Sequence, residues 1–155
     1  MTKTNALRIL ETAGINYLVH MYDVSDGQTD GISVARKIGQ NPERAFKTLV
    51  TAGKTKGINV FVIPVGIELN LKKAALAAGD KYVEMIKSRD LEPQTGYVHG
   101  GCSPVGMSKA FPTFIEETAM LYETITVSAG RIGLQMELLP DDLARVTGAE
   151  FRDLV

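Results

Sequence analysis

Hydrophobic and polar positions alternate in short blocks along this chain, and their periods predict helices interleaved with strands. Residues 3–13 repeat apolar positions at helical spacing, whereas residues 15–22 alternate as a strand with His20 and Tyr22 on one side. Further segments with the composition of strands are 45–51, 58–65, 81–85, 111–115, 124–128 and 134–138. Because these short elements interleave irregularly, we expect an α+β fold with a curved, mixed sheet.

Polar residues and prolines indicate where several helices should begin or end. Asp30 is predicted to cap a short helix, and Asn70 is predicted to cap a helix over 71–78. Residues 88–91 are expected to form one helical turn, which Pro93 ends because proline cannot donate to the helical ladder. The helices are therefore predicted to be short and to end in turns.

The composition is that of an ordinary globular protein. With 155 residues, 45% of them hydrophobic and 23% charged, residues 1–155 are expected to form a single domain with its own core. The chain has no run of about 18 apolar residues, and its first residues lack the apolar segment of a signal peptide. A single cysteine fits a reducing, cytoplasmic environment. One cysteine and two histidines are too few for a Cys/His zinc site, so we expect neither a metal nor a cofactor.

The net charge of −1 argues against a general nucleic-acid-binding protein, but one part of the chain is locally basic. Few acids interrupt this basic cluster, which consists of Lys54, Lys56, Lys72, Lys73, Lys81, Lys87 and Arg89. Such a cluster either faces phosphate groups or forms a solvated face of the protein. The sequence leaves both interpretations open.

Lys47 lies within a strand that is otherwise largely apolar. Phe46, Thr48 and Val50 should share one face of this strand, and Lys47 should share the other face with Leu49. A lysine at such a position must reach water, pair with an acid or stand in a pocket. The pattern alone favours a lysine that reaches water near the end of its strand.

The stretch 96–109 combines four glycines, a proline and small polar residues between apolar, strand-like segments. Two interpretations fit this composition. It is either a wide turn between two strands or a rigid loop whose backbone N–H groups line a pocket and bind an oxyanion. Residues 128–133 form a second glycine-bearing loop that could donate N–H groups in the same way.

The common catalytic motifs are absent from the sequence, which has no GxSxG elbow, no P-loop and no HExxH helix. Cys102 could be a nucleophile, but His99 is too close along the chain to be its usual partner, so a small buried thiol is favoured. His20 alternates within a strand and is interpreted as structural. The remaining lysine, hydroxyls and loop N–H groups can bind and polarise a carbonyl. Alone, they predict only an α+β domain that could bind a ligand.

Five segments of the chain occur together in an order typical of a known family: Phe46-Lys47-Thr48-Leu49, Leu69-Asn70-Leu71-Lys72-Lys73, Thr95-Gly96-Tyr97, Gly100-Gly101-Cys102-Ser103-Pro104-Val105-Gly106 and Val127-Ser128-Ala129-Gly130. Through these segments the chain resembles the YbaK family of trans-editing aminoacyl-tRNA deacylases, which is related to the editing domain of prolyl-tRNA synthetases. The resemblance covers about residues 5–151. The lysine followed by Thr-Leu and the GxxxP loop are its most specific parts when taken together.

The resemblance implies a mixed, barrel-like β-sheet surrounded by helices, with a pocket near the strand lysine. It implies hydrolysis of the ester that joins a wrong amino acid to the acceptor end of tRNA, with Cys-tRNA(Pro) as the expected substrate and prolyl-tRNA synthetase as a candidate partner. The implied mechanism is substrate-assisted, because the cysteinyl thiol attacks its own ester and no protein nucleophile is needed. The competing class is a non-catalytic module that binds an aminoacyl-tRNA end or a synthetase.

The resemblance also implies which residues form the site. Lys47 would be the pocket lysine, and Gly100 and Gly101 would present backbone donors. Residues expected to line the substrate site are Tyr22, Pro104, Ser128 and Gln135. Gln135 departs from the family pattern, which often has aspartate at this position, and glutamine keeps a donor and an acceptor but loses the charge. We therefore expect Gln135 to affect which amino acid is preferred.

Overall fold

The computed structural model describes residues 2–155, which form two β-sheets with α-helices packed around them. Two short 3-10 helices, Pro42–Arg44 and Glu117–Leu121, connect some of these elements. In chain order the main elements are α1 (Asn5–Thr12), β1 (Leu18–Met21), α2 (Gly31–Lys37), β2 (Phe46–Gly53), β3 (Ile58–Pro64), α3 (Leu71–Ala78), β4 (Val83–Met85), α4 (Ser88–Thr95), β5 (Thr113–Glu116), β6 (Ile125–Arg131), β7 (Leu134–Leu138), α5 (Pro140–Thr147) and β8 (Glu150–Arg152). The α+β class predicted from the interleaved pattern is confirmed.

The smaller sheet is antiparallel and has the strand order β1-β7-β6. Alternation along β7 buries Leu134, Met136 and Leu138 in the main core and places Gln135 and Glu137 on the opposite face. The polar positions of β7 therefore lie together on the face of this sheet that is turned away from the main core.

The larger sheet has the order β4-β2-β3-β5-β8, with antiparallel pairing around β2 and parallel pairing on both sides of β5. It joins the smaller sheet through one parallel bridge between Ala45 and Thr126. The barrel-like closure expected from the family resemblance is wrong. A closed barrel leaves no edge strand, whereas among the strands of residues 2–155 β1 pairs only with β7 and β8 only with β5. The two sheets instead form an open, joined pair.

The main core lies between α1, α5, the inner face of the smaller sheet and part of the larger sheet. Leu7 and Leu10 of α1 are fully buried there, together with Leu143 of α5. Burying a side chain of this size stabilises the fold by about 1.5–3 kcal/mol. Thr4 fixes α1 in place, because its hydroxyl accepts from the Leu7 N–H at 3.2 Å and donates to the Ala129 carbonyl at 2.6 Å. This contact holds α1 against β6, the strand that carries Ser128.

The cap residues behave as the sequence predicts. The Asp30 carboxylate accepts from the Ser33 N–H at 3.1 Å and starts α2, and the Asn70 side chain accepts from two N–H groups at the start of α3.

The prediction that Pro93 ends the helical turn over 88–91 is wrong, because α4 continues to Thr95. Proline has no backbone N–H, so Pro93 makes no hydrogen bond to a carbonyl in the first turn of α4. On the buried side of the helix, the Thr95 hydroxyl donates to the Leu91 carbonyl at 2.7 Å.

No helix within residues 2–155 is both long enough and apolar enough to cross a lipid bilayer. Across the same residues, His, Cys, Asp and Glu side chains form no group of three or more that could hold a metal ion.

Candidate active site

A pocket of about 410 Å³ opens where the two sheets join. Its wall is built from β2, the end of β1, β6, β7, α2, the start of α4 and the glycine-rich loop. The residues of the predicted site that line it are Tyr22, Lys47, Gly100, Ser128 and Gln135. Residues from five separate parts of the chain are thus brought to one cavity, and their roles in it stay predictions.

Strand register explains how the polar residues meet. Side chains two positions apart on a strand share a face. Lys47 therefore lies on the same face as Ala45, and Ser128 lies on the same face as Thr126. Because Ala45 and Thr126 pair in the bridge, Lys47 and Ser128 are on the same side of the joined sheets. Ser128 lies directly opposite Gln135 in the β6–β7 pair. Lys47, Ser128 and Gln135 therefore converge on one face of the joined sheets.

Lys47 lines the pocket and is partly buried. Burial lowers the pKa of its ammonium group, and the negative charge of Glu68 opposes this shift only in part. No carboxylate of residues 2–155 lies within salt-bridge distance of its Nζ atom. The strand lysine therefore lines the pocket without a direct ion-pair partner in these residues, which suits a ligand carrying negative charge or an ester that develops it.

The glycine-rich stretch folds back on itself and forms a fixed loop between α4 and β5. The Ser108 N–H donates to the Thr95 carbonyl at 2.9 Å, which brings the two ends of the loop together. Within it, the Tyr97 side chain is buried and its hydroxyl donates to the Val105 carbonyl at 2.5 Å. Gly100 reaches the pocket at φ +86°, and its N–H donates to no group in residues 2–155. This N–H is left unbonded by these residues, and its role as a donor to a ligand stays a prediction.

Gly101 and Pro104 are not brought to the pocket wall, although both were expected in the site. The Gly101 N–H already donates to the Val98 carbonyl at 3.0 Å, so its predicted role as a free donor is corrected. A side chain at Gly101 would lie 3.0 Å from the Ile132 backbone nitrogen, so glycine is needed there for close packing of the loop on the β6–β7 turn. Pro104 is buried and does not line the pocket.

Cys102 lines the pocket but has the chemistry of a buried thiol, as the sequence favours. Burial raises the pKa of this thiol to about 12, and a hydrogen bond involving Thr95 opposes the shift only weakly. The thiol is therefore protonated at neutral pH. Its neighbours are the apolar side chains of Val50 and Leu91 and the ring of Tyr97. We assign Cys102 to the wall of the pocket and not to a nucleophilic role.

His20 belongs to a polar network at the edge of the smaller sheet. Its Nε2 atom lies 2.7 Å from Glu137 Oε1, and the Thr124 hydroxyl donates to Glu137 Oε2 at 2.6 Å. Arg44 donates to Thr124 in turn. Burial would raise the pKa of Glu137, but the hydrogen bonds from Thr124 and His20 outweigh it and hold the pKa below its usual value. The structural interpretation of His20 agrees with these contacts.

Sequence reasoning did not place several polar pocket residues in the site, and Thr48 and Thr126 are two of them. Thr48 follows Lys47 directly, and Thr126 lies two positions before Ser128 on the same strand. Period-two alternation from Ser128 could have identified Thr126. Thr48 belongs to the Phe46-Lys47-Thr48-Leu49 segment of the family resemblance, which distinguishes it from Thr51, the other threonine of β2.

The basic cluster is not a single surface of free charges. Lys73 forms an ion pair with Asp153 at 2.9 Å, and the Asp80 carboxylate accepts from the backbone N–H groups of Thr55 and Lys56. Lys87, at the start of α4, is the member of the cluster that lines the pocket. The phosphate-facing interpretation of the other members stays a prediction.

The sequence matches a family model described as the aminoacyl-tRNA editing domain over residues 29–146, which include all the pocket residues except Tyr22. The chain is also similar to a protein of Enterococcus faecalis assigned as the Cys-tRNA(Pro)/Cys-tRNA(Cys) deacylase EbsC. The two are 45% identical over 152 residues, which cover 98% of this chain and 93% of that protein.

Solved structures share the fold. One, assigned as a trans-editing enzyme for prolyl tRNA synthetase, superposes with a TM-score of 0.84 at 25% identity and covers 99% of this chain and 98% of its own. Another, the hypothetical protein APE2540, gives a TM-score of 0.86 at 21% identity over 96% of this chain and 97% of its own, and shows likeness of fold alone. Since the family model spans most of the chain and encloses most of the pocket, the protein belongs to the family of aminoacyl-tRNA editing domains.

Proposed function

We propose that this protein hydrolyses the ester bond of mischarged aminoacyl-tRNA and that Cys-tRNA(Pro) is its preferred substrate. The observation that carries the proposal is the convergence of Lys47, the free Gly100 N–H and Gln135 on one pocket of an editing-domain fold. The deacylase assignment of the Enterococcus faecalis relative supports this substrate class.

The pocket suits the end of an aminoacyl-tRNA. A volume of about 410 Å³ is within the range of small-ligand sites, which are mostly apolar with a few placed polar groups. Lys47 supplies a cation, Gly100 a backbone donor, and Gln135 an amide. These groups can orient an ester and stabilise negative charge on its carbonyl oxygen.

In the proposed mechanism the substrate provides the nucleophile. The cysteinyl sulfur attacks the carbonyl carbon of its own ester, the bond from that carbon to the ribose oxygen breaks, and the thiol proton passes to the departing oxygen. The product is a cyclic thioester, which water then opens to free cysteine. Positioning such an intramolecular attack can supply about 7–11 kcal/mol of barrier reduction. The protonated Cys102 thiol takes no part in this step.

Prolyl-tRNA synthetase is the candidate partner in this proposal, because it would supply the mischarged tRNA. The similar structure assigned as a trans-editing enzyme for that synthetase supports the pairing. Co-migration of the chain with prolyl-tRNA synthetase and tRNA(Pro) on native gels would test it, with omission of the tRNA as the control.

A deacylation panel tests the proposed activity. Purified protein is given Cys-, Ala- and Ser-tRNA(Pro) together with Cys-tRNA(Cys), and release of each amino acid is followed under single-turnover conditions. We expect Cys-tRNA(Pro) to be cleaved fastest, because an alcohol is far less ionised than a thiol and a methyl group cannot attack. Equal cleavage of Ala- and Cys-tRNA(Pro) would contradict the substrate-thiol mechanism. Binding of all four without cleavage would establish the non-catalytic module instead.

A further inference from the structure

One histidine of residues 2–155 lines the pocket, and the proposed mechanism gives it no role. This residue, His99, directly precedes Gly100, which lines the cavity as well. His99 is exposed to solvent, and its ring makes no ion pair or hydrogen bond within residues 2–155. The other histidine, His20, is by contrast held 2.7 Å from Glu137. His99 is therefore an uncommitted imidazole at the wall of the candidate active site.

A tight β-turn holds His99 beside the predicted carbonyl donor. The Gly101 N–H donates to the Val98 carbonyl at 3.0 Å, so His99 and Gly100 are the two central residues of this turn. Gly100 has a φ of +86° and His99 has a negative φ, the combination found in a type II turn. The turn packs closely on Ile132, because a Cβ atom at Gly101 would lie 3.0 Å from the Ile132 backbone nitrogen. The imidazole and the Gly100 N–H thus belong to one fixed unit.

The proposed reaction moves one proton from sulfur to oxygen. The substrate thiol loses it as the sulfur attacks, and the ribose oxygen gains one as its bond to the carbonyl carbon breaks. An alkoxide is a poor leaving group, so a side chain that carries this proton accelerates the step, typically by about 10²–10⁴-fold. Both ester oxygens are bonded to the same carbon atom. The carrier must therefore lie close to the group that binds the carbonyl oxygen.

The other ionisable side chains of the pocket are less suited to this transfer at neutral pH. Within residues 2–155 they are Tyr22, Asp30, Lys47, Lys87 and Cys102. Burial raises the pKa of Cys102 to about 12, and hydrogen bonds from Ser33 hold the pKa of Asp30 below its usual value. Tyrosine and lysine ordinarily titrate near pH 10, whereas histidine ordinarily accepts and releases a proton between about pH 5 and 8. Burial lowers the pKa of Lys47, so its ammonium is the alternative carrier.

We propose that His99 carries the thiol proton to the departing ribose oxygen. The imidazole accepts the proton from the substrate thiol as the bond from sulfur to the carbonyl carbon forms. The imidazolium then donates a proton to the ribose oxygen as the bond from that oxygen to the carbonyl carbon breaks. His99 ends the step in the protonation state in which it began. This inference rests on the proposed function and adds to it a catalytic residue that the family resemblance does not imply.

The first test is chemical rescue of His99→Ala in single-turnover cleavage of Cys-tRNA(Pro). The variant should be slower than wild type by about 10²-fold. Because His99 is exposed at the pocket, imidazole added to the buffer should restore part of the lost rate, and it should not accelerate Lys47→Ala. His20→Ala is the matched control, since His20 lies outside the pocket, and it should keep the wild-type rate. A wild-type rate for His99→Ala, or a loss that imidazole does not reduce, would overturn the proposal.

The second test changes the leaving oxygen. Two forms of Cys-tRNA(Pro) end in 2′-deoxyadenosine and in 2′-fluoro-2′-deoxyadenosine, and both are charged on the 3′ oxygen. Fluorine withdraws electrons, so the 3′ oxygen of the fluoro form departs with less need of a proton. The fold loss caused by His99→Gln should therefore be smaller with the fluoro form than with the deoxy form. The loss caused by Lys47→Ala should be similar with both, because Lys47 is assigned to the carbonyl oxygen.

Equal losses for His99→Gln on the two forms would overturn the proposal. A loss that shrinks for Lys47→Ala and not for His99→Gln would identify the ammonium as the carrier and overturn it as well. Circular dichroism of each variant checks that the protein is folded. All of these results require cleavage by the wild-type protein, whereas absence of any cleavage would instead refute the proposed function.

Discussion

Ala45 and Thr126 pair as a parallel bridge, and this backbone pairing links the two sheets within residues 2–155. Ala45 lies just before β2, which carries Lys47, and Thr126 lies on β6, which carries Ser128. The pocket opens at this junction, and its polar residues occupy the positions that follow the bridge on each strand. The candidate site is therefore a consequence of how two sheets meet and not of any one motif.

Lys47→Ala should strongly reduce deacylation without unfolding the protein. Losing one charge-stabilising donor typically lowers the rate by about 10²–10³. Lys47→Arg should also be slow, because a planar guanidinium is wider than an ammonium group. The measurement is single-turnover cleavage of Cys-tRNA(Pro), with circular dichroism to confirm folding. Lys73→Ala is the matched control, since Lys73 pairs with Asp153 outside the pocket, and it should keep the wild-type rate. Near wild-type rates for Lys47→Ala would show that the lysine is structural.

The lowered pKa of Lys47 gives a prediction for stability. Its unfolded-state pKa is the usual 10.5, and burial places the folded-state pKa below this value. At neutral pH both states carry the charge, so the full cost of burying it is present. As pH rises through the folded-state pKa towards 10.5, the folded state loses its proton first and this cost disappears.

Lys47→Met should therefore raise the free energy of unfolding at pH 7, and the difference from wild type should shrink as pH approaches 10.5. Urea unfolding of both proteins over this range provides the measurement. A difference that stays constant with pH would show that packing of the methionine side chain is its source.

The Cys102 thiol should react slowly in the native protein. With its pKa raised to about 12, only a minute fraction is thiolate at neutral pH, and the thiolate is the reactive form. Iodoacetamide modification followed by mass spectrometry should be slow for folded protein and fast in denaturing urea. Cys102→Ala should keep deacylase activity. Rapid alkylation of the native protein together with loss of activity would return Cys102 to the list of nucleophiles.

Neutralising Lys54, Lys56 and Lys72 should weaken binding of tRNA in a salt-dependent way and leave the cleavage rate at saturation unchanged. Each lost phosphate contact should reduce the slope of log K against log salt by about 0.7–0.9. Lys73→Ala should change the slope less, because its ammonium is already paired with Asp153. Filter binding at several salt concentrations measures the tRNA affinity and the salt slope of the triple variant and of Lys73→Ala. An unchanged slope in the triple variant would indicate that a synthetase holds the tRNA.

Gln135→Asp should change the preference among amino acids more than it changes stability. The Gln135 side chain lines the pocket opposite Ser128, and the substitution adds a charge that acts on the Lys47 ammonium and on a substrate thiol. The ratio of kcat/KM for Cys-tRNA(Pro) to that for Ala-tRNA(Pro) measures the effect. Gln135→Asn keeps the amide and serves as the control for side-chain length. Identical ratios in wild type and both variants would remove Gln135 from the determinants of specificity.

The sequence by itself determined the local structure and the family. Caps such as Asp30 and Asn70 were predictable because a cap depends on residues within one helical turn. The alternation of β7 was predictable because the pleat of a strand imposes period two whatever the strand packs against. The segments around Lys47 and Gly100 indicated the family through their resemblance to its members.

Only the tertiary structure decided which of these residues share the cavity. Gly100 and Gly101 are adjacent in sequence, yet one N–H is free at the pocket and the other is bonded to Val98. The place of Thr126 beside the pocket depends on how β6 meets the start of β2, two strands far apart along the chain. Hydrogen-bond satisfaction depends on contacts between distant segments, and a local sequence pattern does not contain that information.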